Sequence, residues 1–436
     1  MDIKFYKERK MKTRKMVLLL VLPLLLFPFY LGAAGQREKG KEGEAKAAEI
    51  VFFNFSAAPV AGHQEDMKKL VDIFEEQNRG IDVKLETAPF SEYFTKLQTL
   101  IAGGLAPDVF ELNYENFVNY ASKGVLLDMS SLADSDSTFT SDIFYPRAYN
   151  AFNYKGMQLG LPESFSTVVL FYNKDLFDQA GVGYPKEDWT WEEAIVAAKK
   201  ITNREKGIWG LNSGIQFWEF YKKVAQNGGS LFNEEKTEVT IDAPENVEAL
   251  EMMVSLVKEH GVMPSEAERG GVPDEELFKS GKLAMYVSGI WMFDVFKALP
   301  FSWDIQVEPG MKRKATHFFA NAVSIFAATR HRDAAWKWAR FLTSSPEMAK
   351  IRIETGWELP ALTNKEYLKG YLEKSPPQNR DVVFKSLEYA IVPPVIERQN
   401  EMQDIINQAI EHVSLGKLSP KEALAQADAK VEKLLK

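Results

Sequence analysis

The sequence predicts an α/β protein of two lobes, and three observations support this prediction. The chain has 436 residues, too many for one compact domain and enough for about two or three. Its apolar fraction of 45% and charged fraction of 26% are typical of folded, soluble protein. Strand and helix patterns alternate along residues 50–112, which favours a parallel sheet with helical crossovers.

The composition excludes several classes of function. Lys and Arg number 53 and Asp and Glu 61, so the net charge is −8, opposite to that of a typical nucleic-acid-binding protein. The sequence has no cysteine, which excludes thiol nucleophiles, thiolate metal sites and a lipid-modified cysteine. No two of its five histidines stand three to five residues apart. We therefore predict no metal site, no cofactor and no nucleic-acid partner.

The first 34 residues have the pattern of a secretory signal peptide. Seven basic residues within the first 15 precede an uncharged apolar run over 16–31 and four small residues at 32–35. Met11 would begin a leader of more usual length, so either Met1 or Met11 can be the true start. The alternative is an uncleaved membrane anchor, because residues 32–35 extend the run to a marginal span. We predict a periplasmic or extracellular protein, with retention by such an anchor as the alternative.

Residues 35–48 form a charged linker. They mix Lys, Arg and Glu with Gly and Ala and contain no large apolar side chain. Such a segment has little apolar surface to bury, so we expect it to be a solvated tether before the folded body.

Five elements are predicted in the first part of the folded chain. Strand patterns occupy 50–55, 81–85 and 108–112, and helical spacing occupies 63–78 and a segment ending at Gly103-Gly104. The continuous apolar run at 50–53 indicates a strand that is covered on both faces. Open sheets of this kind bind ligands at the carboxyl ends of their strands.

The second part of the chain repeats these patterns. Strands are predicted at 168–172 and 283–287. Thr190 and Glu193 form a capping box, in which each residue bonds the other's backbone amide at a helix start. Helices are also predicted to begin at Ser345-Pro346 and Ser419-Pro420, since proline suits the first helical position.

Seven short motifs occur in order along the chain. They lie at residues 106–110, 172–177, 189–193, 278–285, 289–291, 334–344 and 356–360. Together, and behind an export signal, they resemble the extracellular solute-binding proteins of ABC sugar importers (family 1, maltose-binding-protein-like). The resemblance covers nearly all of the chain after the linker.

The resemblance implies a two-lobe periplasmic-binding-protein fold, with a ligand cleft between the lobes. Each lobe would be a mainly parallel sheet flanked by helices, with the N-lobe at 49–164 and 308–356 and the C-lobe at 165–307 and 357–436. The implied function is to bind a neutral sugar or oligosaccharide and deliver it to a membrane permease. Hinge closure around the ligand would accompany binding, and the protein would act as a monomer.

The resemblance also implies twelve candidate ligand contacts, of which Trp291 in the Gly-x-Trp turn is the leading one. They are Asn54, Phe55, Ser56, Asn113, Tyr114, Glu115, Glu163, Ser166, Gln216, Trp218, Trp291 and Trp357. Ser166 and Gln216 stand where the family has acids, so the chemistry of these contacts has changed. Gln403 and Asn407 lack the family's aromatic and cation, which argues against assigning maltose.

The proposed contacts favour a neutral glycan. Sugar rings present apolar C–H faces to aromatic side chains, while their hydroxyls need convergent polar groups. Lys and Arg are absent from the proposed cleft loops, which disfavours phosphorylated or carboxylate ligands.

Two other functional classes stay open. An exported glycan-cleaving enzyme would need paired carboxylates, for which Glu111, Glu115 and Glu163 are candidates. A surface adhesin would need an exposed apolar patch, which a sequence cannot locate.

Several conspicuous residues also have a purely structural interpretation. Trp191, Trp336, Trp338 and Tyr172 are interpreted as packing residues. Glu163 either bonds sugar hydroxyls or faces solvent. Residues 134–138 superficially resemble a calcium loop but lack its glycine and terminal Glu, so we predict a polar loop.

Overall fold

The computed structural model describes residues 48–56, 63–355 and 358–436. The predicted signal peptide, and the linker up to residue 47, lie outside these described residues. Within the described ranges, no helix combines the length and apolarity needed to cross a membrane.

The described residues contain eleven β-strands. They are β1 (Ala48–Ser56), β2 (Ile81–Pro89), β3 (Val109–Asn113), β4 (Asn153–Tyr154), β5 (Met157–Gln158), β6 (Leu161–Asn173), β7 (Met285–Gly289), β8 (Trp303–Gln306), β9 (Thr316–Ile325), β10 (Leu359–Pro360) and β11 (Ala390–Ile391).

Eighteen α-helices accompany the strands in the same described ranges. They are α1 (His63–Gln77), α2 (Phe90–Ala102), α3 (Tyr114–Ser122), α4 (Ser130–Ser135), α5 (Pro146–Ala151), α6 (Lys174–Ala180), α7 (Trp191–Ile201), α8 (Phe217–Gln226), α9 (Pro244–Lys258), α10 (Glu266–Arg269), α11 (Asp274–Lys279), α12 (Met292–Phe296), α13 (Arg332–Ser344), α14 (Pro346–Thr355), α15 (Lys365–Leu372), α16 (Val382–Glu388), α17 (Gln399–Ser414) and α18 (Pro420–Val431). Short 3-10 helices lie at Ser141–Ile143, Arg204–Lys206 and Glu432–Leu434.

The first three strands form the parallel sheet that the alternating pattern predicts. β1 pairs in parallel with β2 and with β3, and Phe52 lies opposite both Leu85 and Val109. Successive residues of β1 point to opposite faces, yet Phe52 and Phe53 are both fully buried. The prediction of a strand covered on both faces is therefore confirmed.

The long strand β6 joins this sheet to the rest of the chain. All thirteen of its residues are buried, and it pairs with β7, β8, β9 and β10. Each of these pairings is antiparallel, so the expectation of a mainly parallel sheet holds for β1–β3 but not around β6. Strand direction is set by the connections between strands, and a buried apolar run indicates only that both faces are covered.

Helices cover the sheet in three apolar clusters. The largest packs β1–β3 against α1, α13 and α14, a second joins α8, α9, α17 and α18, and a third packs α6 and α7 on β6 and β7. Trp338 is fully buried between Phe52 and Phe74, at ring-centroid distances of 5.5 and 4.9 Å. Trp191, Trp336 and Tyr172 are also buried, so their interpretation as packing residues is confirmed.

The predicted helix starts are present. Thr190 and Glu193 form a reciprocal capping box at α7, and Ser419 and Glu422 form another at α18. Helix α14 begins at Pro346, as its sequence predicts.

Residues 134–138 span the end of α4 and the polar connection that follows it, since residues 134 and 135 are the last two of that helix. The Asp136 carboxylate pairs with Arg340 at 2.7 Å and accepts a hydrogen bond from Trp336 Nε1 at 3.0 Å. These contacts tie Asp136 to α13. The predicted polar loop is confirmed for residues 136–138, and it is wrong for 134–135, which are helical. No group of three metal-ligating side chains occurs in the described part of the chain.

The close approach between Gly210 and α7 yields a test of the packing. A Cβ added at Gly210 would meet the Ala198 backbone, and the Ala198 Cβ would lie only 2.6 Å away. We predict that Gly210→Ala lowers the free energy of unfolding by about 1–3 kcal/mol, because overpacking strains the core. Urea denaturation would measure the change. Gly183→Ala is the matched control, since a Cβ there meets open space; equal stability of the two variants would contradict this packing.

Candidate functional site

A cavity of about 370 Å³ lies where the carboxyl ends of β1 and β3 approach β6, β7 and β9. Its lining also includes the N-terminal parts of α2, α3, α8 and α11. Its position at strand ends is the one expected for an open α/β sheet. Its volume falls within the range of small-molecule sites.

Seven of the twelve predicted contacts line this single cavity. They are Phe55, Asn113, Glu115, Ser166, Gln216, Trp218 and Trp291. These residues are up to 236 positions apart in sequence (291 − 55), and the fold brings them together. Their role in ligand binding stays a prediction.

Three predicted contacts lie elsewhere. Asn54 is fully buried, and its amide hydrogen-bonds with His63 at 2.9 Å and Thr87 at 2.7 Å. Tyr114 is half-buried and packs edge-on against Phe152. Glu163, the third, is buried and forms an ion pair with Arg352.

Glu163 was expected either to bond sugar hydroxyls or to face solvent, and its buried ion pair with Arg352 fits neither interpretation. Glu163 neither lines the cavity nor faces solvent, since only 1% of it is exposed. It also neighbours Glu111, whose pKa is raised well above its ordinary value by burial and by the Glu163 carboxylate. Arg352 could not be predicted as the partner of Glu163 because the two residues are 189 positions apart.

The other two predicted contacts cannot be placed in the cavity. Trp357 lies outside the described residues. Ser56 ends β1, but its side chain is also outside the described part of the structure.

One aromatic group in the cavity consists of Trp218, Trp291 and Phe319. The Phe319 ring lies 5.9 Å from that of Trp218 and 5.8 Å from that of Trp291. The Trp291 ring rests on Gly289, where a Cβ would overlap it. Glycine at this position therefore lets the indole approach the backbone of β7 closely. Phe319 was missed by sequence reasoning because β9 carries none of the recognised motifs.

A second aromatic group comes from β1 and α2. Phe55 is buried, and Phe90 packs edge-on against it at 5.2 Å while remaining 41% exposed. An exposed aromatic ring that lines a cavity offers an apolar face to a ligand. Sequence reasoning missed Phe90 because the spacing of apolar residues in α2 does not show that the first residue of the helix is exposed.

Acidic side chains supply the charge in the cavity lining. Glu115, Glu219, Asp274 and Glu358 line it, and no Lys or Arg does so among the described residues. The cavity therefore matches a neutral ligand with hydroxyl groups better than an anionic one. This agrees with the prediction made from the cleft loops.

Glu219 belongs to a buried cluster of four charges. Its two carboxylate oxygens pair with Lys222 at 2.8 Å and Lys223 at 3.2 Å, and both ammonium groups also pair with Glu308. Burial alone would raise the pKa of Glu219, but the two lysines hold it well below its ordinary value. The cluster is electrically balanced, and it fixes the Glu219 side chain at the edge of the cavity.

Glu358 is fixed by a second buried network. Its carboxylate accepts hydrogen bonds from Ser164 and from Asn321 at 2.8 Å, and it lies 3.3 Å from Arg352. Burial raises the pKa of Glu358, and the Arg352 charge opposes the shift. The network joins β6 and β9 to the segment before β10 beside the cavity.

His317 is a cavity residue that sequence reasoning did not single out. Its Nδ1 hydrogen-bonds with Tyr221 Oη at 2.7 Å, and its ring stacks on Phe319 at 4.8 Å. Burial lowers the pKa of His317 to about 4, so the imidazole is neutral at physiological pH. A single histidine within a strand pattern does not indicate that the fold places it at a cavity, so His317 could not be predicted as a lining residue.

Asn407 has a structural contact instead of the family's ligand contact. Its side-chain oxygen accepts a hydrogen bond from the Phe217 backbone amide at 2.8 Å, at the start of α8. The neutral residue thus caps the helix that carries Trp218. This supports leaving it out of the predicted contacts.

Comparison with known proteins identifies the family. The profile of the bacterial extracellular solute-binding proteins matches residues 58–349. The chain belongs to this family. Its two-lobe α/β architecture is that of the solute-binding proteins of ABC transporters, as the motifs predict.

Individual relatives extend over almost the whole chain. An ABC substrate-binding protein of Listeria monocytogenes, solved in complex with cycloalternan, is 47% identical, with a TM-score of 0.86 over 89% of this chain and 99% of that one. The galactooligosaccharide-binding protein of Bacillus subtilis is 23% identical over 91% of this chain and 92% of its own length. The GacH receptor of Streptomyces glaucescens, solved with and without acarbose, is 23% identical, with a TM-score of 0.77 over 89% of this chain and 98% of that one. At this level of identity the likeness shows the fold alone.

The buried charge cluster predicts a large stability effect. Lys222→Met would leave Glu219 and Glu308 sharing only one buried cation. We expect the free energy of unfolding to fall by about 3–5 kcal/mol, because breaking a buried pair leaves uncompensated charge. Urea denaturation would measure the loss.

Lys312→Met is the control for this cluster. Lys312 pairs with Glu248 where both side chains are more than half exposed. Exposed pairs contribute little, so its unfolding curve should overlie that of the wild type. Equal losses in both variants would contradict the role assigned to the cluster.

Proposed function

We propose that the protein captures a neutral oligosaccharide in the described cavity and delivers it to the membrane permease of an ABC importer. The observation that carries the proposal is the cavity lining, which combines two aromatic groups with polar side chains and no cation among the described residues. This combination matches the amphipathic surface of a sugar.

The chemistry of the contacts follows from the residue types. Trp218, Trp291 and Phe90 would stack on the apolar faces of the sugar rings. Gln216 offers an amide and Ser166 a hydroxyl, and both groups can donate and accept hydrogen bonds with sugar hydroxyls. Asn113 offers its side-chain amide as a donor, because its Oδ1 already accepts hydrogen bonds from Asn116 at the start of α3. A neutral ligand is favoured because the acidic lining would repel an anion.

The substrate class is proposed from the relatives. Cycloalternan, a cyclic oligosaccharide, is bound by the Listeria protein that shares 47% identity, and is the first candidate ligand. The galactooligosaccharide-binding relative supports the broader class of oligosaccharides. Maltose is disfavoured because the residue at the family's cation position, Asn407, caps α8 instead.

Closure of two lobes would couple binding to transport. With lobes at 49–164 and 308–356, and at 165–307 and 357–436, the cavity draws Phe55 and Glu115 from the first and Trp218 and Trp291 from the second. A ligand that contacts both lobes binds the closed state better and therefore favours it. The export pattern in residues 1–34 would direct the protein to the outer side of the cytoplasmic membrane, where it would meet the permease as a monomer.

We propose a binding protein and not an enzyme. Glycoside hydrolysis needs two carboxylates on either side of the bond. Of the acids considered from sequence, Glu115 lines the cavity, whereas Glu111 and Glu163 are buried away from it. The other acids of the lining are engaged by cations in structural pairs.

Removal of the Trp291 indole tests the stacking role. Trp291→Ala should weaken oligosaccharide binding by about 2 kcal/mol or more, because aromatic anchors dominate desolvated sites. Isothermal titration calorimetry would measure the dissociation constant, and circular dichroism would verify folding. Trp291→Phe is the control and should retain most of the affinity, because it keeps an aromatic face. Unchanged affinity in a folded alanine variant would make Trp291 a scaffold residue.

A ligand screen tests the functional class. Thermal unfolding would be followed with mono-, di- and oligosaccharides, cycloalternan, polyols and sugar phosphates. A cognate neutral sugar at about a hundred times its dissociation constant should add about 2.7 kcal/mol of stability. Chromatography of the same mixtures should show intact sugar. Stabilisation only by anionic ligands would contradict the proposed ligand class, and cleavage products would contradict the assignment as a binding protein.

A further inference from the structure

The four acids of the cavity lining differ in their partners. Glu219 pairs with two lysines, Asp274 pairs with Arg269, and Glu358 lies 3.3 Å from Arg352. Glu115 differs from them, because its Oε1 is buried and has no hydrogen-bond partner within the described residues. Of the four, Glu115 therefore retains hydrogen-bonding capacity for a ligand.

The position of Glu115 explains how an unpaired acid is tolerated. It lies in the first turn of α3, where the helix dipole favours negative charge, and only 1% of the residue is exposed. Burial nevertheless raises the pKa of Glu115 to about 7. The group can therefore change its charge within the physiological pH range.

Other titratable and charged groups surround Glu115 in the cavity. Tyr114 on the same helix and Tyr221 on α8 have pKa values raised by burial, and His317 on β9 has its pKa lowered to about 4. Glu219 on α8, Asp274 on α11 and Glu358 before β10 are held by cations. The nearby cations Lys222 and Lys223 are engaged with Glu219 and Glu308.

We propose that Glu115 couples ligand binding to proton release, with hydroxyls of the bound sugar donating hydrogen bonds to its carboxylate. The inference rests on the proposed function, because it requires a sugar in this cavity. It assigns this role to Glu115 because the other acids of the lining are engaged by cations.

The direction of the change in affinity with pH follows from the thermodynamic linkage between sugar binding and proton binding. Hydroxyl donors stabilise the ionised carboxylate through charge-assisted hydrogen bonds and lower its pKa in the complex. Below neutral pH Glu115 of the free protein is largely protonated, so that binding of the sugar includes release of this proton. Affinity therefore rises with pH and levels off above the pKa of the free protein. Between pH 6 and pH 8 the dissociation constant should fall by up to about tenfold, since one pH unit corresponds to a factor of ten.

Calorimetry on the purified protein with cycloalternan provides the test. Titrations at pH 6, 7 and 8, each in two buffers of different ionisation enthalpy, give both the dissociation constant and the number of protons released. We expect up to about tenfold tighter binding at pH 8 than at pH 6, with a fraction of one proton released near pH 7.

Two variants assign the effect to a residue. Glu115→Gln should bind with an affinity that does not vary from pH 6 to pH 8. Asp274→Asn is the matched control, because it neutralises a cavity acid that is already paired, and it should keep the wild-type pH profile. The proton count on the wild-type protein tests the proposal even without a folded Gln variant.

The outcomes separate this inference from the proposed function. Binding of the sugar without proton release, at one affinity across the pH range, would overturn the inference alone. An equal pH profile in wild type and Glu115→Gln would also overturn it. An absence of binding at every pH, both of cycloalternan and of the other neutral sugars in the thermal screen, would overturn the proposed function and this inference with it.

Discussion

The complete burial of β6 determines how the other strands are arranged around the cavity. A thirteen-residue strand with no exposed residue must satisfy its backbone groups through neighbouring strands, and four strands pair with it. Those pairings place β7, β9 and β10 along β6, and β9 pairs in turn with β3. The carboxyl ends of β1, β3 and β7 thereby lie around one cavity. Val168 and Ser166 of β6 themselves line that cavity.

Much of the fold could be predicted from local patterns. The runs at 50–55 and 81–85 appear as β1 and β2, and the Thr190–Glu193 capping box marks the start of α7. Local chemistry decides these features, so a sequence records them. The antiparallel partners of β6 were not predictable, because they depend on where distant segments return. The lobe boundaries stay a prediction, since they were taken from the resemblance alone.

The site was predictable where a motif marked it and not elsewhere. Trp291 follows a recognisable turn and lies in the cavity, whereas Phe319 and His317 stand in β9 with no motif. Glu163 was misinterpreted because its buried partner Arg352 is 189 positions away. Whether an acid is free for a ligand or engaged by a cation depends on such long-range pairs. This is why Glu115 could be distinguished from the other acids only in three dimensions.

A crystal structure of the protein with cycloalternan would show directly where the ligand binds. We expect an intact sugar in the described cavity, with a ring stacked on Trp291 and hydroxyls within hydrogen-bond distance of Glu115 and Asn113. Contacts from both proposed lobes should hold it. A sugar bound outside this cavity, or inside it without contact to Trp291 and Glu115, would contradict the account.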